Sequence, residues 1–185
     1  MKPGFVRIIG GKWRTRRLQI ADVDGLRPTP DRVRETLFNW LVPYINGAHC
    51  LDLFAGTGVL GMEALSRGAA SIILVDQSPV IVKKIQADLT LLQAENALVY
   101  QAILPQGLKP NAQPFDIVFL DPPYASNLLL PLCFYLEKQG FLSSSAKIYL
   151  EARDIIKDNE LPANWHIIKQ QKAGQVHYYL AQRNV

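Results

Sequence analysis

Only two cysteines occur among the 185 residues, Cys50 and Cys133. That is too few for a disulfide framework and fits buried free thiols in a reducing, cytosolic setting. Long apolar runs are missing as well. The longest, Leu128 to Leu136, is nine residues and contains Pro131, too short to span a bilayer. The opening MKPGFVRIIGGK has no apolar core of signal-peptide length, so secretion is not expected. His49, His166 and His177 are scattered without metal-ligand spacing, and no metal site is expected. No internal repeat or low-complexity tract is visible. What is present is a folding composition: 49% apolar residues against 19% charged, which excludes disorder as the dominant state. The length suits one domain of ordinary size.

Charge is uneven along the chain. Residues 1–34 hold nine basic side chains, Lys2, Arg7, Lys12, Arg14, Arg16, Arg17, Arg27, Arg32 and Arg34, against Asp22, Asp24 and Asp31. The remainder holds 11 basic and 13 acidic residues. A cationic segment of this kind can bind a polyanion through counterion release; a solvated basic surface is the alternative. Arg32 and Arg34 fall in the first turn of an expected helix, where the dipole disfavours cations, which points to a use other than helix stability. Trp13, amid the basic run, can stack on a base or pin the segment to the core.

Alternation over 4–9 and 13–20 predicts two short strands with Gly10-Gly11 as the turn. Gly25 to Pro30 reads as a loop. Thr29-Pro30-Asp31 reads as a helix start, with a capping hydroxyl and proline in the first turn. That helix carries Val33, Leu37, Trp40, Leu41 and Tyr44 on one face. From Cys50 onward strands and helices alternate. Strands are expected at 49–53, 71–75, 97–101, 115–120 and 146–150. Helices are expected at 58–67, from Ser78-Pro79 with Ile81, Ile85, Leu89 and Leu92 inward, and at 126–139. The link 102–114 and the run Ser143-Ser144-Ser145 read as irregular. Residues 165–172 and 175–182 read as a hairpin in which Tyr178 or Tyr179 is core. The sum is an open, mainly parallel α/β sheet with an antiparallel hairpin at one edge, whose ligands sit beyond the carboxyl ends of the strands.

In LDLFAGTGVLG, Asp52 stands near a strand end, and Gly56, Gly58 and Gly61 match G-x-G-x-x-G. Asp76 follows 20 residues after Gly56, at the next strand end, where an acid can hold ribose hydroxyls. The spacing also fits a nicotinamide or flavin nucleotide, or a purely structural turn. Asp52 separates these: a diphosphate on the loop would be repelled by it, whereas S-adenosylmethionine, with an ammonium and a sulfonium, would be attracted.

The strand FDIVFL runs into Asp121-Pro122-Pro123-Tyr124. The prolines set the backbone and remove two N–H donors, leaving the Asp121 carboxylate and the Pro122 carbonyl as acceptors beside an aromatic ring. That set suits an exocyclic amine on a planar base. Acceptors can hold its two N–H groups, the tyrosine can stack on the flipped base, and Asp121 can take the released proton. A tight proline turn with an incidental aromatic is the bland alternative.

Together these motifs resemble S-adenosylmethionine-dependent amino methyltransferases that act on nucleic acid bases. RIIGGKWRTRRL, GLRPTPDRVRETLFNWL and LDLFAGTGVLGMEALSRGA narrow the resemblance to the RsmD family, bacterial enzymes that methylate the N2 amine of one guanine in 16S rRNA. The resemblance spans nearly the whole chain. It implies a Rossmann-like class I methyltransferase fold: a mainly parallel seven-stranded sheet with a C-terminal antiparallel hairpin. It also implies a small basic β-hairpin extension at residues 1–30 before a methyltransferase domain at 31–185. The implied substrate is 16S rRNA in the small subunit or its assembly intermediate, and a monomer is expected. By position, Asp52, Phe54, Ala55, Gly56, Thr57 and Gly58 would line the methionine end of the cofactor. Asp76, with Gln77 and Ser78, would hold the ribose, and Asp121 to Tyr124 the guanine amine, with Asp121 also reaching the cofactor. Ala102, Ile103 and Leu104 would lie by the adenine, with Ile103 where related enzymes often carry an acid or amide. Arg7, Lys12, Trp13, Arg14, Arg16, Arg17, Arg27, Arg32 and Arg34 would contact RNA. Two other functions remain open on sequence: a DNA adenine-N6 methyltransferase and a non-catalytic ribosome-assembly binder.

Overall fold

The computed structural model describes residues 4–23 and 25–185; Lys2 and Asp24 of the cationic segment lie outside the described residues. The chain opens with β1 (Phe5–Arg7) and β2 (Arg17–Gln19), then α1 (Asp31–Leu41). Strands and helices then alternate: β3 (His49–Asp52), α2 (Val59–Ser66), β4 (Ser71–Asp76), α3 (Pro79–Leu91), β5 (Ala97–Gln101), β6 (Phe115–Leu120), α4 (Leu129–Lys138) and β7 (Leu142–Ala152). The hairpin β8 (Trp165–Ala173) and β9 (Val176–Arg183) closes the chain. The main sheet has the order β5-β4-β3-β6-β7-β9-β8. Its first five strands are parallel, and β9 runs antiparallel to both β7 and β8. This is the seven-stranded class I methyltransferase arrangement implied by the motifs.

The central strands carry apolar runs, Cys50–Leu51, Ile72–Val75 and Ile117–Leu120, because both faces are covered. Successive side chains enter opposite cores. Cys50, Ile117 and Phe119 join the cluster under α1, α2 and α3, while Leu51, Val118 and Leu120 join the one under α4. Tyr178 and Tyr179 divide between these cores in the same way, and both are buried. Ser78 caps α3 by accepting from the Ile81 N–H at 3.4 Å.

Three local expectations need correction. Ser143 to Ser145 belongs to β7 rather than a loop. The pairing with β6 shifts register there, between Phe115 and Ile117. Proline 30, not Thr29, is the α1 N-cap, with no side-chain cap. Thr29 instead offers its carbonyl to Arg34 Nε at 3.1 Å. The first strands are also shorter than predicted: mutual bonding continues only to Ile8, which pairs with Arg16 and Thr15, and the tip beyond it is held by α2. Ser66 O accepts from the Lys12 N–H at 2.7 Å. Ser66 Oγ accepts from the Trp13 N–H at 2.8 Å and donates to the Gly10 carbonyl at 2.6 Å. A last-turn carbonyl of the helix thus finds a partner outside it. Glycine is required at position 11, where φ is +75° and a Cβ would lie 1.8 Å from Ser66 O.

Burial fastens the extension further. Val6, Ile8 and Leu18 belong to the same apolar cluster as Leu37 and Phe38 of α1. Glu63 of α2 is wholly buried. It accepts from the Ile9 N–H at 2.9 Å, from Arg67 Nε at 2.8 Å and from Arg34 at 3.4 Å. Arg34, also wholly buried, reaches Asp31 at 2.5 Å. Removing Glu63 would leave the guanidinium without its buried partner. Glu63→Ala is therefore expected to lower the unfolding free energy by about 3–5 kcal/mol, read by urea denaturation; an unchanged midpoint would refute this account of how the extension is held.

Candidate active site

Parallel pairing brings four carboxylates to the carboxyl ends of neighbouring strands. Each stands two residues after a side chain of the α1–α3 core: Asp52 after Cys50, Asp76 after Leu74, Asp121 after Phe119 and Glu151 after Tyr149. Because Leu120 pairs with Leu150, Asp121 and Glu151 emerge side by side. Asp52 pairs with Leu74 and Phe119, so it lies one step deeper than Asp76 and Asp121.

Depth sets the chemistry of Asp52. It is 3% exposed, and its Oδ2 has no hydrogen-bond partner among the described residues. Burial, and then the neighbouring charge of Asp76, push its carboxyl up to about 7 against the pull of the Phe54 and Gly61 N–H groups. Asp121 is half-buried. Burial, then Glu151, then Asp52 hold its carboxyl well above the usual range.

The glycine loop lies against this cluster. Gly56 and Gly58 have φ of +52° and +72°, which only glycine adopts freely. A Cβ on Gly61 would stand 2.8 Å from Leu74 Cδ2, so the helix packs close on β4. Asp76 ties the loop down: Oδ2 accepts from the Gly56 N–H at 3.0 Å and Oδ1 from the Ser78 N–H at 2.9 Å. Each oxygen keeps a lone pair for a further donor. Leu26, in the loop before α1, lies 3.4 Å from the position of a Cβ on Gly56. On the other flank the Ala102 N–H meets the Asp76 carbonyl at 3.0 Å, Ile103 is 74% exposed and Leu104 is buried.

Tyr124 begins a short 3-10 turn, Tyr124–Ser126, after the two prolines. Its hydroxyl donates to Glu151 Oε1 at 2.8 Å, and the Arg153 guanidinium lies 4.8 Å from its ring centroid. Tyr149 donates to Glu151 Oε2, also at 2.8 Å. Sequence reasoning missed Glu151, Tyr149 and Arg153. The signal was available: Glu151 ends an apolar strand as Asp52, Asp76 and Asp121 do, but no short motif marks it.

The basic residues separate into classes. Arg7, Lys12, Arg14, Arg16, Arg17, Arg27 and Arg32 are exposed. Arg7 pairs with Asp31 at 3.2 Å, Arg16 reaches the Leu91 carbonyl at 3.3 Å, and Arg17 lies over Phe5. Trp13 is half-buried and packs on the core, with Lys12 over its ring. Arg34 is the correction: it is sealed between Asp31 and Glu63 and cannot reach a polyanion.

A family model described as "Conserved hypothetical protein 95" matches residues 6–182. The ribosomal RNA small subunit methyltransferase D of Escherichia coli (strain K12) is 46% identical over 180 residues, covering 97% of this chain and 91% of that protein. The protein of the same name from Haemophilus influenzae is 42% identical over 185 residues, covering 97% and 94%. Among solved structures, yhhF of Escherichia coli superposes with a TM-score of 0.88 at 46% identity, covering 98% of this chain and 99% of that one. The ribosomal protein L11 methylase of Lactobacillus delbrueckii superposes at 0.65 with 15% identity, covering 85% and 81%, which shows a shared fold.

The raised carboxyl of Asp52 has a thermodynamic sign. A carboxyl that binds its proton more tightly folded than unfolded stabilises the fold at low pH. That stabilisation is lost as pH rises from the unfolded value toward about 7. Asp52→Asn is therefore expected to raise the unfolding midpoint at pH 8 and to raise it progressively less toward pH 4, read by thermal melts across that range.

Proposed function

This chain belongs to the Conserved hypothetical protein 95 family, the RsmD family of its motifs, and we propose that it methylates the N2 amine of one guanine in 16S rRNA from S-adenosylmethionine. The observation that carries the reading is the buried Asp52 Oδ2, without a hydrogen-bond partner among the described residues, at the strand ends it shares with Asp76 and with Asp121-Pro122-Pro123-Tyr124. An orphaned buried acceptor is costly without a ligand. The donor set around it is anionic, which fits an ammonium and a sulfonium and opposes a diphosphate. The small-subunit rRNA methyltransferases among its relatives support the substrate class.

S-adenosylmethionine, when bound, supplies an electrophilic methyl group on a sulfonium that leaves as a neutral thioether. The residues supply position and charge. Asp52 would accept hydrogen bonds from the methionine end, with Phe54, Ala55, Gly56, Thr57 and Gly58 forming the adjoining wall. Asp76 would accept from ribose hydroxyls with its remaining lone pairs, while Gln77 and Ser78 shape that rim. The exposed Ile103 would cover a face of the adenine, with Ala102 and the buried Leu104 behind it. Asp121 and the Pro122 carbonyl would accept from the two N–H groups of the guanine amine and hold its nitrogen toward the methyl group. Pro123 sets the turn, and Tyr124 offers its ring to the flipped base. Asp121, whose proton affinity is already raised, would take up the amine proton as the N–C bond forms. Holding both reactants in line is the main source of rate.

The extension at residues 1–30, followed by α1, would present Arg7, Lys12, Arg14, Arg16, Arg17, Arg27 and Arg32 to RNA phosphates. Leu26 beside the glycine loop supports a role for its neighbour Arg27 near the cofactor end of the site.

Radiolabelled methyl transfer to 30S subunits, naked 16S rRNA and duplex DNA, followed by mass mapping, tests the reading. N2-methylguanosine in 16S rRNA is expected. N6-methyladenine in the DNA, or cofactor binding without transfer, would overturn it. Asp121→Ala is expected to abolish transfer with cofactor affinity kept within about threefold, since positioning and proton uptake fall on the acceptor side of the site; a large affinity loss would assign Asp121 to the cofactor. Replacing Arg14, Arg16 and Arg17 together by Ala is expected to weaken RNA binding. It should also flatten the dependence of log K on log salt by up to about 2–3, read by filter binding between low and moderate salt.

A further inference from the structure

Glu151 has no place in the mechanism above, yet both of its oxygens are engaged by side chains at the site. It is 9% exposed and stands beside Asp121 through the Leu120–Leu150 register. Both oxygens accept phenol hydrogens, from Tyr124 and from Tyr149. The two tyrosines differ in kind. Tyr149 is wholly buried, wedged between Phe119 and Tyr178 with ring centroids 6.5 Å away on each side. Tyr124 stands at the mouth, 37% exposed. The carboxylate therefore links an exposed tyrosine on a surface turn to one enclosed in the core. A packing role would not require this charge. An apolar side chain would fill the space without the like-charge repulsion that Glu151 exerts on Asp121.

We propose that Glu151 is a positioning residue for methyl transfer, tethering the Tyr124 ring to the buried Tyr149 so that the face receiving the target base is set beside Asp121 before the base arrives. The proposal rests on the guanine-amine reading for its catalytic consequence, while the tether itself does not. Without the tether the ring must be ordered when the base binds, at a cost in the reacting complex. The tether also explains why a tyrosine suits this turn: a phenylalanine has the same ring but nothing to hold it.

The test uses the full chain with Glu151→Gln, Tyr124→Phe and the double variant, in three measurements. Cofactor binding is expected to stay within about threefold in all of them, and kcat on 30S subunits to fall on the order of 10–100-fold in each. The double variant should be no worse than the poorer single one. The pH profile separates positioning from general damage. Asp121 faces Asp52 and Glu151, with Tyr124, Tyr149 and Arg153 around the second of these. Glu151→Gln removes a like charge, so the acid limb should move to lower pH; Tyr124→Phe keeps that charge and should not move it downward. In protein labelled with 3-fluorotyrosine, the fluorine resonance that disappears in Tyr124→Phe should shift in Glu151→Gln and titrate at lower pH. A Tyr124 resonance and titration unchanged in Glu151→Gln, or wild-type kcat in Tyr124→Phe, would overturn the proposal. If Glu151→Gln does not fold, kcat of Tyr124→Phe decides. If the wild-type chain methylates no guanine amine, the function falls, and the fluorine titration still decides the tether.

Discussion

Like charge is gathered where the parallel strands end, and the rest of the molecule is arranged around tolerating it. Asp52, Asp76, Asp121 and Glu151 sit on four neighbouring strands. Register and alternation turn them to the same side. Each is handled differently. Both Asp76 oxygens are occupied by backbone amides, and both Glu151 oxygens by phenols. Asp52 keeps an oxygen with no partner among the described residues. Asp121 bears the repulsion of its neighbours. Glu151, met by two phenols, supports the site, while the proposed function assigns ligands to Asp52, to Asp121 and to the lone pairs that Asp76 keeps beside its two amides.

Two apolar cores make this arrangement affordable. The sheet is buried on both faces, so its central strands are held independently of what happens at their ends. The site residues occupy the first positions beyond that support, where backbone is rigid and side chains are free to meet a ligand. A fold shared with a protein methylase at 15% identity therefore says little about the acceptor. The acceptor is argued from Asp121 to Tyr124 and from the charged residues around them.

The basic extension is coupled to the same framework rather than appended to it. Glu63 joins Ile9 and Arg34 to α2, the helix that follows the glycine loop. Ser66 holds residues 10–13 at the far end of that helix. Leu26 lies beside the loop itself. A surface proposed to grip RNA and a loop proposed to hold the methyl donor thus share one helix. Their relative placement is set by a buried ion pair and an apolar cluster, not by a flexible linker.

Much of this was legible in the chain. Strands β3 to β6 and helices α2 to α4 announced themselves because apolar periodicity and turn residues act locally. The glycine loop and Asp121-Pro122-Pro123-Tyr124 did so because their chemistry lies in contiguous residues. Less local features were misread. Arg34 looked like an RNA ligand on sequence, since nothing near it in the chain reveals Glu63, 29 residues away, as its buried partner. Ser143 to Ser145 looked like a loop; they fall inside β7 at the register shift between its paired residues Leu142 and Lys147, and the pairing on either side of them, set by β6, is not visible in three serines. Local order and motif chemistry were determined by the sequence alone, through short-range sterics and hydrogen bonding. Tertiary structure alone decided which charges are buried, which are paired and that Glu151 joins Tyr124 to Tyr149. Those outcomes depend on strand register and on exclusion of water between segments distant in the chain.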